Sequence, residues 1–581
     1  MKPARFLAIV DPGASSVGAR RRSRATKQQG LLPVFDSGPL SVFVTAETHV
    51  VRAGNQGLVI GDLFRAGMSS RVTSLDGDET RAGEPIAMDR YWGDYVAFAA
   101  AGEGKGPLSI ARSASGGVHA FRARFGPILC IASDIELLID PTMQPPKIDW
   151  AFVAHHLAFM HLHCAGTGIV GIDEILPGDC SIEHDGSSER RSLWTPWIFT
   201  AHDKHAPSFA DATARVRGAV LKATAALVPP DETVLLELSG GLDSSIVAAA
   251  LAAVGRRAIA ANLATPGPEG DERHYARAVS EKTGIALLEA LIDGEIDLTE
   301  VGRRLEARPG MLAILRLADR YFAEQGRDHR IGAFVNGTGG DCVFCSLGTA
   351  APATDRLKAH GPFTGFATTV RDVARVHGDN IWNVTRMALR RHWRRPPLPA
   401  WRRNQLFLND DCLPAAPSYH PWLDAPPDTP SGTRAHVHAI VASYAHLDGY
   451  GRHAVAPSLF PLLSQPVVEA CLSIPTWLWV AGGRDRAVAR AAFRTELPRI
   501  VAERRTKGGM DAFCAHMFEI NRIRLRPFLL DGQLAAAGLL DCRAIEAYLA
   551  RPFTNRDQLF YQLLPIVDAE AWAYGVTAAS S

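Results

Sequence analysis

The chain has 581 residues, of which 62 are basic and 61 are acidic, and this length predicts roughly two to four domains. Its 21% charged and 47% hydrophobic residues exclude wholesale disorder and fibrous structure. The balanced charge excludes a global field that would recruit nucleic acid or a membrane surface.

The cysteines and the N-terminal residues indicate the compartment. Nine cysteines scattered along a long chain do not form a disulfide framework, which favours a reducing compartment. The first apolar stretch is broken at residues 11–13, too early for a signal sequence, and we predict a solvated loop for the arginine-rich run at 20–24. No stretch reaches the ~18 apolar residues that cross a bilayer. We therefore expect a cytoplasmic protein that makes no membrane contact.

The first part of the chain alternates short apolar runs with turn residues, which is typical of β-strands. The clearest runs lie at residues 6–10, 41–46, 57–64, 94–100 and 128–133. A helix-like segment follows at 150–166, and a charged, proline-containing linker lies near residue 205. We predict a first domain over residues 1–205 that is built mainly of strands.

Residues 206–581 have a different pattern, in which apolar strands alternate with helices of 10 to 15 residues. The predicted strands cover 232–238, 258–265 and 285–292, and the predicted helices cover 244–255 and 271–284. This alternation favours a parallel sheet with helices on both faces, that is, an α/β domain. Helical segments dominate after about residue 337 and form the C-terminal part.

The segment SGGLDSS, residues 239–245, lies between the first predicted strand and its helix. Its glycines let the backbone approach an anion, and the N–H groups of the turn and the helix N-terminus face phosphate oxygens. We predict that Ser239, Gly240, Gly241 and Ser244 bind phosphate. Asp243 is the predicted Mg²⁺ ligand, because this ion prefers carboxylate and phosphate oxygens. The missing lysine of the GxxxxGK[ST] pattern argues against a kinase or GTPase.

Four further residues complete the predicted site. Gly337 lies in a second glycine cluster, where its backbone would approach the nucleotide, and Asp341 would supply another Mg²⁺ ligand beside Asp243. Leu263, at the end of the next strand, would contact adenine through its backbone. Lys507 follows a predicted cationic helix and precedes two glycines, so its ammonium would close over the site and stabilise developing charge.

Other reactive patterns carry less weight. The cluster His155, His156, His161, His163 and Cys164 has irregular spacing within an apolar helical segment, so a structural helix is preferred over a zinc site. Cys342 and Cys345 have redox-motif spacing, but packed thiols are expected. The arginine- and tryptophan-rich stretch 385–403 is either a solvated helix or a docking face for a leader peptide or partner protein.

In this order, the segments resemble the synthetase half of the asparagine synthetase family over residues 205–520. SGGLDSS resembles the pyrophosphate loop of the ATP pyrophosphatase superfamily, which leaves the α-phosphorus open to attack and yields AMP. The N-terminal part resembles the family's glutamine amidotransferase domain more loosely, through residues 91–98, 131–138 and 175–179. The resemblance implies an α+β Ntn-hydrolase-like sandwich over residues 1–205. It implies that an α/β ATP pyrophosphatase-like (adenine nucleotide α-hydrolase-like) domain follows.

The departures from the family pattern suggest a branch. Lys2 stands where glutamine-hydrolysing members carry a cysteine, so we expect no glutaminase activity and no use of ammonia. Thr338 stands where an asparagine synthetase carries Glu, and Pro457 and Ser458 replace another acidic stretch. Such losses fit β-lactam synthetases and lasso peptide cyclases, and residues 460–493 resemble the form found in the cyclases.

The cyclase resemblance implies ATP and Mg²⁺ as cofactors and a precursor peptide as substrate, whose N-terminal amine is joined to an Asp or Glu side chain. A leader peptidase and a leader-binding protein are the implied partners, with no nucleic acid and no membrane. The alternatives are a small-molecule ligase of the β-lactam or asparagine type and an inactive family member that acts as a binding partner. Intact SGGLDSS, Asp341 and Lys507 count against inactivity.

Overall fold

The structure, a computed structural model, describes most of the chain. The described residues are 4–54, 57–75, 83–101, 106–140, 145–267, 270–292, 294–302, 304–310, 313–394, 401–506, 508–552 and 557–580.

The secondary structure is mainly strands before residue 195 and mixed strands and helices after it. The strands are β1 (Phe6–Val10), β2 (Leu32–Ser37), β3 (Leu40–Val44), β4 (Val50–Ala53), β5 (Gly57–Arg65), β6 (Tyr91–Ala100), β7 (Leu108–Arg112), β8 (Phe121–Phe125), β9 (Ile128–Ala132), β10 (Ile172–Glu174), β11 (Asp179–His184), β12 (Ser187–Ser192), β13 (Val234–Glu237), β14 (Ala258–Ala264), β15 (Ala286–Leu291), β16 (Ala333–Val335) and β17 (Ser458–Leu459). The helices are α1 (Ser16–Lys27), α2 (Ile135–Leu138), α3 (Trp150–Ala158), α4 (Phe209–Leu227), α5 (Leu242–Ala253), α6 (Arg273–Thr283), α7 (Arg316–Asp328), α8 (Gly340–Val343), α9 (Ala351–His360), α10 (Phe366–His377), α11 (Ile381–Arg394), α12 (Ser431–Tyr444), α13 (Gln465–Leu472), α14 (Ala487–Ala492), α15 (Arg499–Ala502), α16 (Asp511–Leu530), α17 (Gln533–Ala536), α18 (Cys542–Ala550) and α19 (Phe560–Ala578).

Two antiparallel sheets form a sandwich in the first part of the chain. Their strand orders are β10-β8-β9-β1-β3-β2 and β12-β11-β7-β6-β5-β4. Alternate residues of β1 face opposite sides, so Phe6 and Ala8 pack in the core shared by the two sheets while Leu7 and Ile9 join a second core. Phe6 meets Phe98 of the facing sheet edge to face, with ring centroids 6.0 Å apart. The predicted strands and sandwich are thus confirmed.

The arginine-rich run at 20–24 is not the predicted loop but part of helix α1. Ser15 caps this helix by accepting a hydrogen bond from the Gly18 backbone N–H. Arg21 is buried, with its guanidinium 3.4 Å from the centre of the Phe125 ring and donating to the Leu138 carbonyl. The charge density suggested a solvated segment, whereas long arginine stems pack against the sheet and a cap starts the helix.

The predicted helix at 150–166 ends earlier, because α3 stops at Ala158. His161, His163 and Cys164 follow it in irregular backbone, and His161 adopts a positive φ of 63°. Within α3, the His155 ring accepts a hydrogen bond from the Ser418 backbone N–H at 2.8 Å. This histidine therefore has a protein partner that fixes its position.

The second part contains an all-parallel sheet with the order β15-β14-β13-β16-β17. The chain adds β14 and β15 on one side of β13 and then crosses to add β16 and β17 on the other. Such a reversal opens a crevice beyond the carboxyl ends of the strands, between β13 and β16, where α/β sheets bind ligands. The prediction of an α/β region with a parallel sheet is thus confirmed. Strand β17, which has only two residues, was not predicted.

Short helices replace the cationic helix predicted to lead to Lys507. The stretch contains α14 and α15, separated by residues 493–498. Elsewhere, α11 carries Val384 and Ala388 on its buried face and leaves Trp382 and Trp393 exposed. None of the helices in the described part of the chain is long and apolar enough to cross a membrane.

The sandwich and the parallel-sheet region contact each other through hydrogen-bonded side chains. The Trp194 indole donates to Glu469 at 2.8 Å, and the Gln465 amide donates to the Met88 carbonyl at 2.8 Å. Ser208 caps α4 just after the predicted linker, accepting from the Asp211 N–H. The domain division near residue 205 stays a prediction.

Candidate active site

A cavity of about 720 Å³ opens at the carboxyl ends of β13, β14 and β16. Its walls come from the loops after these strands, from α7 and α12, and from the segment that surrounds α14 and α15. The residues predicted to act there that line it are Ser239, Gly241, Asp243, Ser244, Leu263, Gly337 and Asp341. The crevice expected from the sheet topology therefore holds these predicted residues together.

The loop after β13 is a tight turn that leads into α5. Gly240 has φ of 77°, and a Cβ at this position would lie 2.7 Å from the Tyr275 Cβ, so only glycine fits without strain. The hydroxyls of Ser239 and Ser244 lie 3.1 Å apart across the turn. A turn of this kind, whose next residues start α5, directs backbone N–H groups toward an anion.

The loop after β16 packs directly on the first loop. A Cβ on Gly337 would lie 2.6 Å from the Ser244 backbone nitrogen, and one on Gly340 would lie 2.4 Å from the Asp243 carboxyl carbon. The glycines therefore permit a close approach of two backbones that no larger residue allows. This contact brings Asp341, on α8, beside Asp243, on α5.

The carboxylates of Asp243 and Asp341 converge on one nitrogen of Arg486. Its Nη1 donates to both oxygens of Asp243 at 3.0 Å and to an oxygen of Asp341. Its Nε donates to Asp485 at 2.8 Å. Burial disfavours the guanidinium, but the three carboxylates outweigh it and raise the pKa of Arg486. The position between Asp243 and Asp341 is therefore built for a cation.

This donor set fits the predicted Mg²⁺. Carboxylate oxygens are its preferred protein ligands, and a magnesium ion usually adds phosphate oxygens and water rather than a full protein cage. Asp243 and Asp341 would hold the ion, with the phosphates cradled by residues 239–241 and 244. Asp243 is largely buried, whereas Asp341 is 49% exposed and therefore accessible to solvent and ligand.

Arginines form the wall of the cavity near α15. Arg504 pairs with Glu272, lies 3.9 Å from the centre of the Tyr275 ring, and reaches the Gly240 carbonyl at 3.5 Å. Thr506 also lines the cavity, whereas Lys507 lies outside the described residues. The catalytic role of Lys507 therefore remains a prediction.

Four aromatic or histidine side chains, which we name the aromatic end, also line the cavity: His161, Phe322, His446 and Tyr450. The rings of His161 and His446 lie 4.9 Å apart. Burial lowers the pKa of His446 to about 4 and also lowers that of His161, so both rings are neutral at pH 7. This end offers largely aromatic surface, and the nearby guanidinium of Arg452, 4.4 Å from the centre of the Tyr450 ring, is paired with Glu237.

Sequence reasoning missed both Arg486 and the aromatic end. Arg486 is the second arginine after the two glycines in GGRDRAVAR. The high density of positive charge in this stretch predicted a cationic helix leading to Lys507, not a turn that carries a site residue. The residues of the aromatic end come from three separate segments and have no shared motif. Only the tertiary fold brings them together.

The chain is an α/β protein with a cavity lined by two glycine-containing loops at the switch point of its parallel sheet, the place where such sheets bind ligands. The profile of the asparagine synthase family matches residues 215–574, more than half of the chain, so the chain belongs to this family. It is accordingly an ATP-dependent amide ligase of the asparagine synthase kind.

Structural comparison gives weaker likenesses, with 43 matching chains of known structure. The allosteric regulatory enzyme of purine biosynthesis is 10% identical, covering 50% of this chain and 74% of its own, with a TM-score of 0.18. The glutamine phosphoribosylpyrophosphate amidotransferase from B. subtilis, complexed with ADP and GMP, is 12% identical, covering 65% and 84%, with a TM-score of 0.17. Such scores do not bear on the fold. No curated protein matches the chain.

Proposed function

We propose that the chain closes a macrolactam ring in a precursor peptide, as lasso peptide cyclases do. It would activate an Asp or Glu side-chain carboxylate of the peptide with ATP and join it to the peptide's own N-terminal amine. The observation that carries the proposal is a single cavity lined both by the glycine-rich loop after β13 and by the residues of the aromatic end.

The chemistry follows from the family membership and the loop. A carboxylate in water does not condense with an amine, so its oxygen first attacks the α-phosphorus and pyrophosphate leaves. The amine then attacks the acyl carbon of the adenylate, AMP leaves, and the amine loses a proton. Ser239, Gly240, Gly241 and Ser244 would hold pyrophosphate. Mg²⁺ bound by Asp243 and Asp341 would neutralise phosphate charge.

The aromatic end supports a peptide rather than a free amino acid as acyl substrate. A small zwitterion needs fixed charges for its ammonium and carboxylate, but the two histidines here are neutral. Glu237, which also lines the cavity, already pairs with Arg452 at 2.7 Å. Neutral aromatic surface suits the side chains and backbone of a peptide.

An intramolecular nucleophile fits the same site. Thr338 lines the cavity at the position where asparagine-forming relatives, by the resemblance above, carry Glu. An amine on the same peptide gains the large effective concentration of an intramolecular reaction, and the enclosed cavity protects the adenylate from water. A leader peptidase that frees this amine and a leader-binding protein would be the partners.

The test incubates the purified chain with ATP, Mg²⁺ and a leader-cleaved precursor peptide. We expect AMP and pyrophosphate together with a product lighter by one water, measured by chromatography and mass spectrometry. The matched control is the same peptide with an acetylated N-terminus, which keeps the carboxylate but removes the nucleophile. AMP formed only with a small amino acid and ammonia would contradict the cyclase proposal.

A further inference from the structure

The guanidinium of Arg486 lies against the carboxylates of Asp243 and Asp341, the residues that would hold a metal ion. Three carboxylate oxygens of Asp243 and Asp341 lie within hydrogen-bond distance of its Nη1, with two of these distances at 3.0 Å. Mg²⁺ binds oxygen at about 2.0 to 2.1 Å. A guanidinium nitrogen and a metal ion therefore cannot share these oxygens at the same time.

The backbone around Arg486 aims the side chain at this point. Arg486 adopts the left-handed conformation, with φ of 52° and ψ of 40°, immediately before α14. Such a conformation is unfavourable for a residue with a Cβ and persists only where surrounding contacts hold it. The Nε bond to Asp485 and the two carboxylates supply these contacts. Gly482 and Gly483, both with positive φ, precede the turn.

The positive charge of Arg486 and the negative charges of Asp243 and Asp341 stabilise one another. Without a cation, Asp243 and Asp341 would face each other at close range as two like charges. The Arg486 guanidinium balances this charge and simultaneously covers the carboxylate oxygens. The phosphates of a nucleotide would offer the Arg486 guanidinium an alternative anionic partner. Their oxygens would also be further ligands for a metal ion.

We propose that Arg486 is a positioning residue that holds the cation position between Asp243 and Asp341 until a nucleotide brings the metal ion. The protein then binds no divalent metal tightly on its own, and the guanidinium moves from the carboxylates to phosphate oxygens when Mg²⁺ and ATP enter together. The inference rests on the proposed nucleotide site, but it is independent of the carboxylate and the amine that are joined.

The test measures Mn²⁺ binding without nucleotide, by the electron paramagnetic resonance signal of the free ion. Mn²⁺ takes oxygen ligands in the same octahedral geometry as Mg²⁺. We expect weak binding to the wild-type chain and binding about 10-fold tighter or more to Arg486→Gln, since an arginine beside an aspartate lowers the affinity of the carboxylate for another cation, the proton, by about 10-fold or more. Adding Asp243→Asn to Arg486→Gln should remove the gain.

Two further variants make the result specific. Arg484→Gln removes another guanidinium of the same cavity, whose Nη1 donates to the Glu503 carbonyl at 3.0 Å, and should bind Mn²⁺ as the wild type does. Arg486→Lys keeps a cation, so its Mn²⁺ affinity should lie between those of the wild type and Arg486→Gln. This variant tests the proposal even if Arg486→Gln folds poorly. Equal affinities in wild type, Arg486→Gln and Arg486→Lys would overturn the proposal. Failure of every variant to bind Mn²⁺, with ATP as well as without it, would overturn the metal site itself.

Discussion

At the scale of single residues, the site depends on oxygens supplied by two different loops. Asp243 lies in the first turn of α5 and Asp341 in the first turn of α8, yet both touch the same nitrogen of Arg486. Their residue type and their places after predicted strands were sufficient to predict that they would meet. The conformation of Arg486 was not predictable, because its left-handed turn and its partners are set by tertiary contacts rather than by the local sequence.

Lys507 is the residue whose predicted role most needs a kinetic test. Lys507→Ala should leave ATP affinity largely intact and lower the rate of amide formation about 10² to 10³-fold, because it would remove one preorganised donor to developing charge. Lys507→Arg should rescue poorly, since a planar fork does not replace a compact ammonium. Single-turnover rates and nucleotide affinities would decide. An equal loss of affinity and rate would make Lys507 a binding residue.

At the scale of elements, the contact between the loops after β13 and β16 positions the site. The strands and helices of this region were predictable because apolar strands alternate with helices of ordinary length. Helix α1 was not, since its arginines suggested a loop, and β17 was too short to give a pattern. Local periodicity thus predicts elements that bury a regular face, but not those stabilised by caps or by a neighbouring strand.

Gly337→Ala tests the loop contact. The added methyl would lie 2.6 Å from the Ser244 backbone nitrogen, so the two loops must separate. We expect a loss of about 1 to 3 kcal/mol in unfolding free energy and a clear loss of ATP affinity, measured by urea denaturation and by calorimetry. Gly348→Ala is the matched control, because a Cβ there meets nothing within 4 Å. Unchanged ATP affinity in Gly337→Ala would show that this contact does not shape the nucleotide site.

At the scale of the whole molecule, a buried charge network joins the sandwich to the parallel-sheet region. His119 lies between Glu174 of the sandwich, at 2.6 Å, and Asp448 of the second part, at 2.8 Å. Arg112 and Arg308 also pair with Glu174. Burial opposes a charged ring, but Asp448 and Glu174 outweigh it and raise the pKa of His119 to about 9. Sequence reasoning could not detect these pairs, since they connect distant segments.

This network makes stability depend on pH. The pKa of His119 is higher in the folded protein than in the unfolded chain, so its stabilisation is complete below about pH 6.5 and is lost as the pH rises through 9. Between pH 6.5 and pH 9, we expect the unfolding free energy of the wild type to decrease by about 1 to 2 kcal/mol more than that of His119→Gln. Urea denaturation at both pH values measures it, with the half-exposed His184→Gln as control. Parallel pH profiles for wild type and His119→Gln would contradict the assignment.

The central claim is that this family member activates a peptide carboxylate as an adenylate. The most direct measurement uses ATP, Mg²⁺ and a leader-cleaved precursor peptide that carries ¹⁸O in the acceptor side-chain carboxylate. Because the carboxylate oxygen bonds to the α-phosphorus and leaves with it, the account predicts one labelled oxygen in AMP, detected by mass spectrometry. ADP together with labelled orthophosphate would contradict adenylation.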